Sequence, residues 1–302
     1  MLFNKSLLLF ITYIFLYSSA SCANSLAEAL DKGKAYANLN LRLENVEQDN
    51  AKKDADALTL RTRFGFKSAP INQFSFAIEF EDSRVVAGND DYHNANGKHS
   101  EYSTIADPET TELDQFFVQY KNKSFSSKIG RQVLTLDNHR FVGHVGWRQD
   151  RQTFDGVSTI YSANENFIIK YAFINQRNRI FAEEKDVDSE DHVLNAAYKT
   201  TLGTLTAYGY LLELDNGSDN SLDTWGLRFT NNVKTKNIFY LLEFATQESQ
   251  SVSIDFDSNY LHFELGTKFN GVTAKVGFES LGSDNGNYGF STPLATLHKF
   301  NG

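Results

Sequence analysis

The densest collection of side chains able to do chemistry lies between Leu136 and Gly156, in the stretch LDNHRFVGHVGWRQDRQTFDG. It holds Arg140, Arg148 and Arg151, the carboxylates Asp137, Asp150 and Asp155, Trp147, and the histidines His139 and His144. Guanidinium and carboxylate groups at this density suit a fixed charged network at a constriction, where a side-chain field sorts solutes by charge. The same residues suit a blander task, pairing with one another to pin a loop against a wall, and the two roles are compatible. The histidines have no cysteine partner and match no standard zinc spacing, so they read as ordinary loop residues. The stretches DNGSDN at 215–220 and GSDNGN at 282–287 have calcium-loop composition without the terminal Glu of the EF-hand pattern, and read as solvated loops. The chain carries no G-x-S-x-G, no H-E-x-x-H and no phosphate-binding glycine loop. No catalytic, metal or cofactor site is therefore expected.

The elements that must position these groups show a period of two. Ala37, Leu39, Leu41 and Leu43 alternate with Asn38, Asn40, Arg42 and Glu44; Leu58, Leu60, Phe64 and Phe66 alternate with Thr59, Arg61, Arg63 and Lys67. Phe74, Phe76, Ile78 and Phe80 alternate with Ser75, Ala77, Glu79 and Glu81 after a tight turn around 69–72. Helices do not produce this repeat. Further strands are expected near 112–121, 125–134, 152–162, 166–175, 191–200, 203–214, 222–231, 237–248, 256–269 and 272–281, with Asn270-Gly271 a strong hairpin turn. The only helical segment suggested is a short one around Ser25–Leu30.

Composition narrows the classes. The N-terminus, with Lys5, an apolar run from Leu7 to Tyr17 and small residues to Ala23, has the layout of a secretory signal peptide. Cleavage is expected after Ala23, leaving 24–302 as one barrel domain. A lipoprotein cut before Cys22 is the rival, disfavoured because Ser19 stands where a branched apolar residue is usual. Cys22 is the sole cysteine, so the mature chain has no disulfide. A net charge of -9 argues against nucleic acid as a partner. Proline is confined to Pro70, Pro108 and Pro293, all between expected strands. Aromatic residues reach 14% in a chain whose mean hydropathy is -0.41, as alternating strands require.

Strands of about ten residues, connections alternately short and long, and Tyr36, Tyr120, Tyr161, Tyr171 and Tyr260 near strand ends favour a transmembrane barrel with aromatic girdles. The alternative is a soluble β-sandwich or an enzyme on a β-solenoid, because sequence does not show which face is outside. The expected fold is thus an all-β, antiparallel, up-and-down barrel with about thirteen strands present. Single-chain bacterial barrels have even strand numbers, and 282–302 reads as a polar stretch that simply stops. The expectation is a C-terminally incomplete segment of a larger barrel, or a count wrong by one.

Three stretches carry a family resemblance: IGRQVLTLDNHRFVGHVGWRQDRQTFDG at 129–156, IADPETTELDQFFVQY at 105–120 and LGSDNGNYGFSTPLATLHKFNG at 281–302. They resemble the alginate-export-like porins of Gram-negative marine bacteria over nearly the whole mature chain. The resemblance implies a large single-chain outer-membrane barrel that passes anionic polysaccharide or other small polar solutes through an arginine-rich constriction. On that basis Arg131, Arg140, Arg148 and Arg151 are placed near the pore lining; Arg61 and Arg63 join them from the strand periodicity alone. The expected partners are outer-membrane lipid and small polar or anionic solutes, and the expected function is passive diffusion without a cofactor. The rival functions are a plugged structural or adhesion barrel and, after it, an outer-membrane barrel enzyme. Glu79, Glu81 and Asp114 on faces that also line the channel make a general porin the safer reading than an alginate transporter.

Overall fold

A computed structural model describes residues 23–231, 237–251 and 254–301. The expected signal peptide lies outside the described residues except for Ala23, which opens helix α1 (Ala23–Asp31). Thirteen strands follow in one antiparallel meander, each hydrogen-bonded to its sequence neighbours. They are β1 (Lys34–Val46), β2 (Ala55–Lys67), β3 (Phe74–Asp91), β4 (Thr110–Lys121), β5 (Phe125–Arg131), β6 (Thr153–Ser162) and β7 (Phe167–Asn178). The series continues with β8 (Val187–Lys199), β9 (Thr204–Leu212), β10 (Asn220–Thr230), β11 (Ile238–Ser251), β12 (Ile254–Phe269) and β13 (Val272–Leu281). Among the described residues β1 and β13 share no pairing, so the sheet is open there. Every strand read from the two-residue period is present. Asn270 and Gly271 both have positive φ, the conformation that a two-residue hairpin matching the strand twist requires.

The burial pattern answers what periodicity alone left open. On β2, Thr59, Arg61 and Arg63 are buried, while Phe64, two places after Thr62 on the other face, is exposed. On β3, Glu79, Glu81 and Ser83 are buried and Phe80 is exposed. Leu39, Leu41, Leu43, Leu194, Trp225, Leu227, Phe244, Phe263 and Val276 all stand in the open on the convex side. A water-soluble sandwich would bury this apolar face; a wall standing in hydrocarbon presents it to lipid and turns its polar groups inward. No helix among the described residues is long and apolar enough to cross a membrane, so the crossing elements are the strands.

The two ends of the wall differ. At one end the connections are short, as between β4 and β5 or β12 and β13; at the other they include 92–109, 132–152 and 179–186. Short turns mark the periplasmic end of such barrels. There α1 docks through the Ala69 amide, which donates to the Ala29 carbonyl at 3.0 Å. An outward band of aromatic rings follows the same end, with Phe74 against Tyr120 at 5.0 Å, Tyr120 against Phe125 at 6.1 Å, and Phe167 against Tyr198 at 6.4 Å between centroids. Tyr161 belongs to that outward face, and Tyr171 faces out farther along β7. Two of the expected girdle residues do not. Tyr36 shares the inward face of Asn38 and Asn40, and Tyr260 is fully buried on the inner wall, because the odd-even register of β1 and β12 turns these rings away from lipid.

The segment after β13 also departs from expectation. Residues 282–301 do not trail off: Ser283–Asp284 pairs with Tyr288–Gly289, and Phe290, Leu294 and Ala295 are buried beneath the sheet's concave face before a last helical turn, α2 (His298–Asn301). Scattered apolar residues in a polar run gave no period to read.

Phe244 stands mid-strand on β11 and is 50% exposed. Phe244→Arg should lower the unfolding free energy of the refolded barrel by about 2–4 kcal/mol, the cost of a guanidinium near the bilayer midplane. Urea titration in lipid vesicles measures it.

Candidate functional site

The concave face is crossed by residues 132–152, which leave β5 and return to β6. The loop has a closed neck. Gln132 and Phe154 exchange both backbone hydrogen bonds at 2.9 Å, and the Gln132 side-chain amide donates to the carbonyls of Gly130 (3.2 Å) and Gly156 (3.4 Å). Gly156 has φ +151°, and an added Cβ would sit 2.0 Å from the Phe173 carbonyl oxygen; Gly130 has φ +115° and the same problem with Phe116 at 2.3 Å. Both positions therefore require glycine. The Gly-Arg-Gln and Thr-Phe-Asp-Gly stretches that carried the family resemblance are the two sides of this neck.

From the neck the loop reaches toward both edges of the described sheet. Toward β1–β4, Gln149 is completely buried: its side-chain nitrogen donates to the Thr59 hydroxyl (2.8 Å), the Thr59 carbonyl (3.1 Å) and the Asn40 carbonyl (3.3 Å), while its amide donates to Asp107 (2.9 Å). Arg151 forks onto Asp114 (3.1 and 2.6 Å) and contacts Glu79. Arg148 meets Glu44 at 3.1 Å and Asp107 at 3.5 Å, and the Arg42 guanidinium lies 3.7 Å over the Trp147 ring and donates to the Trp147 carbonyl. Toward β12–β13, Arg140 donates to Glu279 at 2.6 Å, and Tyr260 donates to the same carboxylate at 2.7 Å. The returning segment 282–301 fastens the loop from below: the Gly143 amide donates to Leu294, the Thr296 amide to the His139 carbonyl, and Lys299 to the Asn138 carbonyl. Phe141 anchors the middle, with Tyr208, Tyr260, Tyr210 and Phe290 all within 6 Å between ring centroids.

The six arginines singled out from sequence fall into three groups. Arg63, Arg148 and Arg151 are brought together between loop and wall, Arg63 against Glu81 and 3.4 Å from Asp114. Arg61 stands beside them on β2, donates to Asn38 at 2.5 Å and has no carboxylate partner among the described residues. Arg140 is remote from these and 0% exposed, packed between Glu279, Tyr260 and Phe300, so it has no surface with which to line a pore. Arg131 is on the other side of the wall. It stands opposite Phe116 and two places from Ile129, both exposed, and forks onto Asp155 at 2.8 and 3.0 Å on that outward face. The resemblance supplied position in the chain, not the strand face, and the register places Arg131 outside. Arg42, Glu44, Asp107 and Gln149 complete the network; Arg42 and Glu44 were visible as polar-face residues, whereas Asp107 and Gln149 had no periodic signal.

The loop histidines lie edge to face at 5.3 Å, and among the described residues no cluster of His, Cys, Asp or Glu is fit to hold a metal ion. Burial pushes the His144 imidazole down to about 4, helped by His139, Arg151, Arg63 and Lys299. Burial pushes Asp150 well above the usual carboxylate range, with Glu112 and Glu81 adding to it.

The fold and the inward charged wall define an outer-membrane β-barrel of the porin kind. The alginate export family model matches residues 36–279, and the chain belongs to that family. Solved structures show the same architecture: OccAB3 of Acinetobacter baumannii (TM-score 0.59, 12% identity, covering 83% of this chain and 68% of that one), OpdO of Pseudomonas aeruginosa (0.62, 12%, 84% and 66%) and a BenF-like porin from Pseudomonas fluorescens Pf-5 (0.61, 13%, 83% and 67%). A comparison with curated protein sequences finds no match.

Two outcomes follow. Gln149→Ala removes the buried side-chain donor that joins the loop to β1 and β2, and should cost the anchoring about 1–3 kcal/mol. Trypsin cleavage at Arg148 and Arg151 of the folded barrel would then accelerate. The second concerns pH: because folded His144 holds its proton less tightly than an unfolded histidine, its contribution to anchoring is full above about pH 6.5 and declines as pH falls toward 4. Asp150 gains a proton in the opposite sense, so the comparison is made in an Asp150→Asn background. The protection factors of amides 139–146, which divide out the pH dependence of intrinsic exchange, should fall between pH 6.5 and 4.5, and His144→Gln should flatten that dependence.

Proposed function

We propose that this protein is an outer-membrane porin for passive diffusion of small hydrophilic solutes, anions and oligosaccharides among them. The observation that carries the reading is the inverted wall: charged and amide side chains face inward, with a loop folded back across them rather than out into the medium. A loop held against the inner wall narrows a water-filled path without closing chemistry, and selectivity then follows from width and from the side-chain field. The field of the loop network is muted, because Arg42, Arg63, Arg148 and Arg151 each face carboxylates. It shapes the path more than it charges it. A general porin fits this balance better than a conduit built for polyanions by bare arginines.

A second reading, a plugged structural or adhesion barrel, draws on one specific feature. Phe141, Phe154, Tyr208, Tyr210, Tyr260, Phe290 and Leu294 form a continuous apolar cluster between the loop, the returning segment and the inner wall. The deciding measurement is single-channel conductance of the full-length protein refolded in a planar bilayer. Steady conductance is expected; a correctly folded barrel that conducts nothing would establish the plugged barrel instead. In the conducting protein, Arg151→Gln leaves Glu79 and Asp114 without their shared cation and should shift the reversal potential toward cations in a salt gradient.

A further inference from the structure

The inward face has a second, differently charged region at the short-turn end. A cavity of about 510 Å³ lies between the inner wall of β4–β8 and the first residues of the crossing loop. Lys121, Lys123, Lys128 and Lys170 line it, with the uncharged Gln119, Gln132 and Ser158, and no Asp or Glu is among its lining residues. The inward direction of the two strand lysines follows from register. Lys128 lies opposite Gln119 and, two places from Gly130, on the side of buried Phe117; its ammonium is 4.3 Å from the Phe117 ring. Lys170 lies opposite buried Asn195 and two places from buried Ala172. Among the described residues none of the four lysines has an ion pair, in contrast to the arginines of the loop network. The cavity also lies in the middle of the sheet, on strands already paired on both sides, rather than at the open edge.

We infer that this cavity is an oxyanion-binding vestibule at the periplasmic mouth of the lumen, taking small multivalent oxyanions such as inorganic phosphate or sulfate. The inference rests on the porin reading for its role in transport and adds a charge preference to it. Ammonium groups on flexible stems act as point charges and follow a hydrated, mobile anion, whereas guanidinium forks hold fixed carboxylates. The chain uses the two cations for these two purposes: arginine where geometry is to be locked, lysine where an ion is to pass. Low-dielectric walls focus the uncompensated positive field on the lumen and raise the local anion concentration, with a reach of about 10 Å at 0.1 M salt.

The test uses the full-length protein with inorganic phosphate as the probe, in two measurements. In a planar bilayer, phosphate added from the short-turn side should reduce chloride current at lower concentration than phosphate added from the other side. The Lys128→Gln/Lys170→Gln variant should abolish that asymmetry and move the reversal potential toward cations. In detergent micelles, calorimetric titration should show phosphate binding that weakens about five-fold for each lysine neutralised, while Lys170→Arg keeps the charge and most of the affinity. Heat-modified gel mobility verifies that each variant folds. A conducting protein whose phosphate response is unchanged by neutralising both lysines overturns the vestibule and leaves the porin. A non-conducting barrel that still binds phosphate through these lysines keeps the vestibule and overturns the porin. Absence of phosphate binding by the folded wild-type protein overturns the vestibule outright.

Discussion

The structure depends on the fastening of one loop to the concave face of the sheet. Turning polar side chains inward leaves them with each other, with water or with whatever crosses the lumen, because lipid offers no partner. Residues 132–152 meet that need for β1–β4. Arg151 lies between Glu79 and Asp114, Arg63 joins Glu81 to the backbone of Gln149, and Gln149 satisfies carbonyls on two strands at once. Removing one partner from a buried pair of this kind is far more costly than never having formed it, about 3–5 kcal/mol. The loop and the wall are therefore interdependent: the wall's carboxylates hold the loop, and the loop's arginines make those carboxylates tolerable where they are.

The opposite half of the concave face solves the same problem with aromatic rings. Phe141 from the loop and Phe290 from the returning segment pack on Tyr208, Tyr210 and Tyr260, whose hydroxyl groups are directed at polar partners such as Glu243 and Glu279. One crossing element thus carries a polar half and an apolar half, each matched to the strands it covers. Outside that covered area, at the short-turn end, the four cavity lysines have no ion pair among the described residues, unlike the arginines of the loop network.

How much of this was legible in the sequence differs by level. The strands could be read because a two-residue period survives any tertiary context, and the Asn270-Gly271 turn because its backbone conformation selects its residues. Which face meets lipid could not be read, since Leu41 alternates with Arg42 identically in a sandwich and in a barrel. Tyr36 and Tyr260 were misplaced for the same reason: nearness to a strand end says nothing of the face. Arg131 and Arg140 sit within the stretch that carried the resemblance, yet one lies outside the wall and the other is sealed beneath Phe300, because membership of a motif does not convey direction. Asp107 and Phe290 lie in irregular segments with no period, and only the folded chain brings them to the loop. Lys128 and Lys170 were not singled out, because the cavity they share exists only once β5, β6 and β7 are in register.

The neck of the loop has a consequence for the height of the wall. β3 runs for 18 residues and β5 for only 7, or about 60 Å against about 23 Å of strand at 3.3 Å per residue. The rim is therefore not level; it drops to a sill at β5, and the chain leaves the ladder there at a depth the neighbouring strands still occupy as sheet. A sill would expose unpaired backbone to hydrocarbon if nothing replaced the missing strand. Side chains replace it: Arg131 donates to the Leu113 carbonyl from outside, and Gln132 donates to the Gly130 and Gly156 carbonyls from inside. Beside the Gln132–Phe154 backbone pair, two side chains thus complete the wall at the sill, which is why an arginine that faces away from the lumen still belongs to the architecture of the channel.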